Sequence, residues 1–364
     1  MKIVIFGLTI TSSWGNGHAT LWRGLCRALG RHGHRVIFFE QDVPYYATNR
    51  DLREVPGAEL VLYGQWEAVR GKAQREVHDA DVAVVTSYCP DGMAAADLML
   101  SEGRGLNIFY DLDTPVTLSR LARGERLPYL DPDRLGAFDL VLSYTGGAAL
   151  EELRGRFGAR AVAPLYGHVD PDVHRPVETV SHYRSDLSYL GTYSADRQQA
   201  LGALLVEPAR QRPADRFLIG GAQYPQDFPW HPNIFFVRHL PPTEHPAFFS
   251  SSRLTLNVTR EPMARMGWCP SGRLFEAAAC GTAVISDWWE GLDAFFTPGE
   301  EIFAARDTQD ALAALDLDEA EISRVGAAAR ERTLAEHTSE RRALQLIATL
   351  EARPAPATAE AMGG

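Results

Sequence analysis

Lysine is almost missing: Lys2 and Lys72 are the only two in a chain of 364 residues. Arginine therefore carries nearly all cationic contacts. Its planar fork suits bidentate binding of phosphate or carboxylate, although genome composition alone produces the same bias. Cysteine is also scarce. Cys26, Cys89, Cys269 and Cys280 stand apart with no CxxC pair, which argues for reduced thiols and against a structural zinc site. No apolar run is long enough to span a membrane and no charged-then-apolar leader follows Met1, so a cytoplasmic protein with no membrane span is expected. Positive charge is in deficit as well. The formal net charge is −11, which argues against a general nucleic-acid binder, though not against a local basic pocket.

What is present is alternation. At 364 residues the chain exceeds the size at which one core keeps growing, so two domains are expected. KIVIFGL at 2–8 reads as a buried strand, 18–32 as an amphipathic helix ending at Gly33, and HRVIFFE at 34–40 as the next strand. Further strand-like runs lie at 60–63, 81–86, 106–110, 140–143 and 161–164. A Pro-, His-, Asp- and Arg-rich connector at 166–185 follows, and then a second series: strands at 187–190, 216–219, 234–237 and 254–258, with helices at 195–209 and 245–250. Short apolar strands between helices predict mostly parallel sheets covered on both faces. The resulting division is 1–170 and 171–335, with a last helix at 337–352 packing back on the first domain and a tail at 353–364 too poor in apolar residues to order.

The densest stretch is SGRLFEAAACGTAVISDWWEG at 271–291. Ser271 and Gly272 open an apolar helix that Gly281 closes, and a strand at 283–286 follows. Free amides and the positive end of the helix dipole suit an anion at the first turn, with Arg273 as a neighbouring fork. Glu276, one turn on, is placed to accept two hydrogen bonds from a vicinal diol such as a ribose. Trp289 is a candidate aromatic face for a sugar or base.

Two other places draw notice. Gly15 and Gly17, in the loop between the first strand and helix, allow close approach of backbone to a ligand. Glu40 ends the second strand at about the spacing of a dinucleotide fingerprint, but the glycines come too late after the strand and Thr20 takes the last position of GxGxxG. Asp111 and Asp113 in FYDLDTP follow a strand, where two acids cannot easily both be buried. At least one should meet solvent or a ligand, with Asp113 also placed to cap the helix that starts at Thr114 and Pro115.

The residues RLFEAAACGTAVISDWWEGLDAFFTPGEE, YLGTYSADR and LYGHVDPDVHRP together resemble nucleotide-sugar-dependent glycosyltransferases of the GT-B fold, and most closely the CgeB-like spore-maturation group. The resemblance covers nearly the whole chain. It implies two Rossmann-like doubly wound α/β domains facing each other across a cleft. It implies a donor site in which Ser271 and Gly272 hold the diphosphate with Arg273 beside them, Glu276 contacts the ribose, and Gly191 and Arg197 form a second wall. Gly291 and Leu292 contact the far end of the donor by the same resemblance. Gly15 and Gly17 are similar to the acceptor-side loop, and His18 to the general base of some inverting members. One departure is plain: many retaining relatives carry a glutamate eight residues before the ribose acid, where this chain has Trp268.

The function this implies is transfer of a sugar from a nucleoside-diphosphate sugar, of UDP or dTDP type, to an acceptor hydroxyl or other nucleophile. His18, Asp111 and Asp113 are the candidate catalytic residues, with no metal and no cofactor. The acceptor, a small molecule, glycan or protein, is not named by the residues, and no nucleic-acid partner is expected. A nucleotide-sugar epimerase of the same architecture, or a non-catalytic nucleotide-sugar binder, uses the same phosphate-binding helix and stays open at this point.

Overall fold

The computed structural model describes residues Met1–Arg353. The tail expected to be disordered lies, from residue 354 on, outside the described residues. The chain divides into two compact units. One comprises Met1–Ser13, Trp22–Tyr166 and the segment from Glu340 onward, and the other Trp14–Leu21 with Gly167–Ser339.

The first unit is built on a seven-stranded parallel sheet: β1 (Lys2–Gly7), β2 (Arg35–Gln41), β3 (Ala58–Tyr63), β4 (Val82–Thr86), β5 (Leu106–Asp111), β6 (Leu140–Ser143) and β7 (Val162–Pro164). Their order is β3-β2-β1-β4-β5-β6-β7, so the direction of winding reverses between β1 and β4. Continuous burial along β4 and β6, and along β1 from Ile3 on, matches strands covered on both faces. Glu40, at the carboxyl end of β2, is fully buried. Its carboxylate accepts from Thr9 Oγ1 at 2.8 Å, Ile10 N at 2.8 Å, Thr11 N at 3.1 Å and Thr11 Oγ1. Four donors from the chain's own loop fill this acid, which leaves nothing for a cofactor ribose and removes the dinucleotide reading.

The second unit carries six parallel strands: β8 (Ser185–Leu190), β9 (Phe217–Gly221), β10 (Ile234–Arg238), β11 (Ser252–Asn257), β12 (Ala283–Asp287) and β13 (Phe303–Ala305), in the order β10-β9-β8-β11-β12-β13. Here winding reverses between β8 and β11. Leu187, Phe217, Ile219, Leu254, Leu256 and Ile285 form the centre of its core. The helix expected at 195–209 is broken instead into a 3-10 turn (Ala195–Arg197), an α turn (Gln198–Leu201), a π stretch (Gly202–Val206) and a final turn (Glu207–Gln211). Pro208 has no amide to donate, so the regular ladder cannot run through it and the preceding turn widens.

Both sheets place their ligand-facing ends at the carboxyl ends of the strands beside the reversal. In the second unit those ends are Gly191 after β8 and Thr259 after β11, which is where the site is built.

Candidate functional site

The crossover from β11 to β12 supplies the helix Gly272–Ala279. Ser271 is its N-cap, and the hydroxyl oxygen accepts from Arg273 N at 3.2 Å. From the first turn the Arg273 side chain folds along its own helix and its Nη1 donates to Glu276 Oε2. Glu276 is only 2% exposed. Its Oε1 accepts from Thr20 Oγ1 at 2.9 Å, and Oε2 faces His245 Nδ1 at 3.6 Å and His174 Nε2 at 3.8 Å. Burial alone would raise this carboxyl, but the adjacent Arg273 charge outweighs it and holds the group well below the usual carboxylate range. Burial, with Arg273 adding to it, lowers His245 to about 4, and burial lowers His174 too. Both imidazoles are therefore neutral at pH 7 and only the Arg273–Glu276 pair is charged.

The loop Trp14–Leu21 belongs to this unit, although the sequence division had placed Gly15, Gly17 and His18 in the first domain. The side chains explain it. Trp14 lies against His239 with ring centroids 4.2 Å apart, and Thr20 reaches Glu276. His18 heads the first helix, His18–Arg31, half-buried, with its amide donating to Asn16 Oδ1 at 3.1 Å. Gly15 adopts φ +60°, which favours glycine. Gly17 has open space around its Cα, so no crowding demands glycine there.

The wall after β8 is close-packed. A Cβ on Gly191 would lie 2.6 Å from the Tyr189 hydroxyl, and the Gly191 carbonyl accepts from Tyr224 Oη at 3.2 Å. Arg197 turns back on its own loop, Nη1 donating to the Thr192 carbonyl at 3.1 Å. Beside it Asp196 pairs with Arg260 at 2.9 Å. Asp287, ending β12, accepts from Thr259 N with both oxygens at 3.0 Å, and burial raises its carboxyl to about 6.

Trp289 is corrected by the structure. It is 1% exposed and packs against Phe295, ring centroids 5.9 Å apart, so its face is in the core and presents nothing to a ligand. Leu292 is likewise fully buried. Gly291 has a different duty: at φ +88° it lies under the half-buried Trp268, whose Cδ2 is 2.6 Å from where a Cβ would stand. Trp268 thus needs a glycine beneath it. Gly291→Ala is expected to cost about 2–3 kcal/mol in urea unfolding, from left-handed strain and overpacking together. Adding Trp268→Ala should restore part of that. Equal midpoints for wild type and Gly291→Ala would show that the crowding is absent.

In the first unit, Asp111 ends β5 fully buried. Oδ1 accepts from Asp113 N at 3.1 Å and from Thr117 Oγ1 at 3.1 Å, and Oδ2 makes no hydrogen bond among the described residues. Burial raises its carboxyl to about 7. It sits beneath the surface, so direct contact with an acceptor is not its place. Asp113 is the more open of the two. It occupies the N-cap position of the helix Thr114–Ala122, but its side chain makes no capping bond. The carboxylate accepts from Tyr88 Oη at 2.9 Å instead, and Tyr88 is itself held at φ +65°.

Thr20, His174 and His245 were not singled out from sequence. They come from three distant segments, and nothing in HATLW, DVHRP or TEHPA marks them as neighbours of one glutamate.

Residues 197–348 match the model of the glycosyl transferase-like family. No curated protein sequence matches the chain. Among solved structures, sucrose-phosphate synthase (tll1590) from Thermosynechococcus elongatus is similar at 16% identity and TM-score 0.67, covering 96% of this chain and 98% of that one. Anabaena Alr3699/HepE in complex with UDP-glucose is similar at 12% identity and TM-score 0.67, covering 97% and 100%. An alpha-glucosyltransferase in complex with UDP-glucose and DNA containing an abasic site is similar at 14% identity and TM-score 0.72, covering 96% and 99%. The two Rossmann-like parallel-sheet domains are those of the GT-B fold. Among the described residues no helix is long and apolar enough to cross a membrane.

Proposed function

We propose that the protein transfers a sugar from a UDP-type nucleotide sugar to an acceptor nucleophile, as a metal-independent member of the CgeB-like group. The observation that carries this reading is the first turn of the Gly272–Ala279 helix, with Arg273 beside its N-terminus and the Glu276 carboxylate one turn on. An oxygen of Glu276 already takes a hydroxyl donor, that of Thr20. A ribose diol would offer two such hydroxyls, and the diphosphate next to it would meet the helix dipole and the Arg273 fork. Leaving-group charge would be stabilised by these fixed groups, as transfer requires.

His18 is the proposed base. Asp113 is the acid open to an acceptor, and Asp111 is a positioning residue that holds the Asp113 amide. One of the structural neighbours is described with DNA, but a net charge of −11 disfavours a nucleic-acid acceptor here. UDP, dTDP, GDP and ADP, each free and with common sugars, are to be compared by thermal shift in EDTA. A UDP-sugar at about 100 times its Kd adds about 2.7 kcal/mol, or a few degrees. No shift with any of them would sink the donor-site reading. With an acceptor in hand, His18→Ala should lower turnover about 100-fold or more while UDP affinity is kept.

A further inference from the structure

Three side chains from separate parts of the second unit converge beside Arg273, and the hydrogen bonding of one of them, His174, is incomplete. His174 Nε2 and His245 Nδ1 are 3.4 Å apart, and Glu276 Oε2 lies 3.8 Å from the first and 3.6 Å from the second. Each side chain is 2% exposed. The Nε2–H of His245 donates to the Leu240 carbonyl at 3.2 Å, which sets the tautomer and leaves Nδ1 as a bare lone pair. That lone pair is approached twice, by Arg273 Nη1 at 3.2 Å and by His174 Nε2 at 3.4 Å. A neutral imidazole nitrogen accepts one hydrogen, so His174 is left with the poorer contact. Its Nδ1 has no partner among the described residues. The support for a ligand lies at Nε2, where this buried imidazole has no good partner and a bound group would supply one.

We propose that His174, His245 and Glu276 form a site for a zinc-class divalent cation, bound through Nε2, Nδ1 and Oε2, with Arg273 turning outward as the cation enters. Ligands about 2.0–2.1 Å from a tetrahedral zinc lie about 3.4 Å from one another. The three atoms here need shifts of only a few tenths of an ångström to reach that. Two imidazoles and a carboxylate favour Zn2+ or Co2+ over Mg2+ or Ca2+, which prefer oxygen, and a fourth position remains for water. Arg273 Nη1 touches two of the three ligand atoms, so the guanidinium holds the place a cation would take. Its side chain is 26% exposed, which gives it a way out when a second positive charge arrives. The cation would occupy the carboxylate oxygen a ribose diol needs, and so it blocks the donor and takes no part in transfer. Only that blocking effect rests on the nucleotide reading; the cation site stands without it.

The test is a Co2+ titration of the full chain after EDTA treatment, read by visible absorption. A single Co2+ should bind with a tetrahedral-type band that Zn2+ abolishes. Arg273→Gln should bind Co2+ about tenfold tighter or more, because the built-in competitor is gone, and a misfolded protein cannot show that gain. His174→Gln and His245→Gln should each weaken binding about 10- to 100-fold. No saturable binding by either wild type or Arg273→Gln overturns the site, and so does undiminished binding by the double histidine variant. A parallel titration with UDP in EDTA separates the two readings. UDP binding without Co2+ binding removes the cation site alone, and Co2+ binding without UDP binding removes the nucleotide reading alone.

Discussion

Glu276→Gln will weaken UDP binding about 100-fold and lower the stability of the second unit by about 2 kcal/mol. The binding loss follows from charge and count. A ribose diol donates two hydrogen bonds to a carboxylate, each worth about 1.5–3 kcal/mol, and an amide offers one neutral acceptor oxygen in place of two charged ones. A loss of about 3 kcal/mol is about 100-fold in Kd. The stability loss follows from Arg273, which keeps its charge and loses its partner. Removing one member of a buried pair costs about 3–5 kcal/mol, but Arg273 is 26% exposed and water recovers part of that. Isothermal titration and urea unfolding measure the two effects separately. The deoxy analogue identifies the contact: wild type should prefer UDP to 2′-deoxy-UDP about tenfold or more, and the glutamine variant should not. Equal affinities for both ligands in wild type would place the ribose away from Glu276.

The parts of this chain written as local patterns were legible. Buried strands appear as unbroken apolar runs such as IVIF in β1 and VAVV in β4. The Gly272–Ala279 helix announces its start by a serine that can cap it and its end by Gly281, which takes φ +79°. Glu276 stood out because a lone acid on an alanine-rich helix has no local reason to be there. What surrounds that acid was not legible. Thr20, His174 and His245 meet it through tertiary packing, and side-chain spacing along the chain carries no trace of that. Trp289 misled for the opposite reason. It neighbours the site in sequence, but alternation along the chain after β12 turns it into the core while Trp288 stays half-buried under Arg306, whose guanidinium lies 4.7 Å from its ring. Glu40 has the spacing of a cofactor acid and serves its own loop, because threonines at 9 and 11 bring donors that no motif records.

Asp111→Asn will stabilise the first unit at pH 8 and destabilise it slightly at pH 4. Burial raises the Asp111 carboxyl from 3.8 to about 7. Between those values the folded chain holds a proton that the unfolded chain has released, so stability is full near pH 4 and falls as pH rises toward 7. About three pH units at about 1.36 kcal/mol each make the loss on the order of 4 kcal/mol. Asparagine keeps the Oδ1 acceptor for Asp113 N and Thr117 Oγ1. Its amide nitrogen replaces Oδ2, which lies by the Ser87 hydroxyl without a well-formed hydrogen bond, and that poorly met group costs about 1–2 kcal/mol at every pH. The net is a gain of about 2–3 kcal/mol at pH 8 and a small loss at pH 4. In the second unit the groups around Glu276 respond in the opposite sense, while Asp287, raised to about 6, responds as Asp111 does and offsets part of their effect. Glu276 is held below its ordinary value and both neighbouring histidines are lowered, His245 to about 4. For these groups the unfolded chain binds more protons, so their contribution is lost as pH falls, from about 6.5 downward for the histidines and below about 4.5 for the glutamate. Calorimetry across pH 4 to 8 should therefore show a first-unit transition that weakens in base, which Asp111→Asn flattens, while the second unit, where Asp287 and the histidines offset one another, shifts less. A single transition with the same pH profile in wild type and Asp111→Asn would show that Asp111 does not titrate with folding.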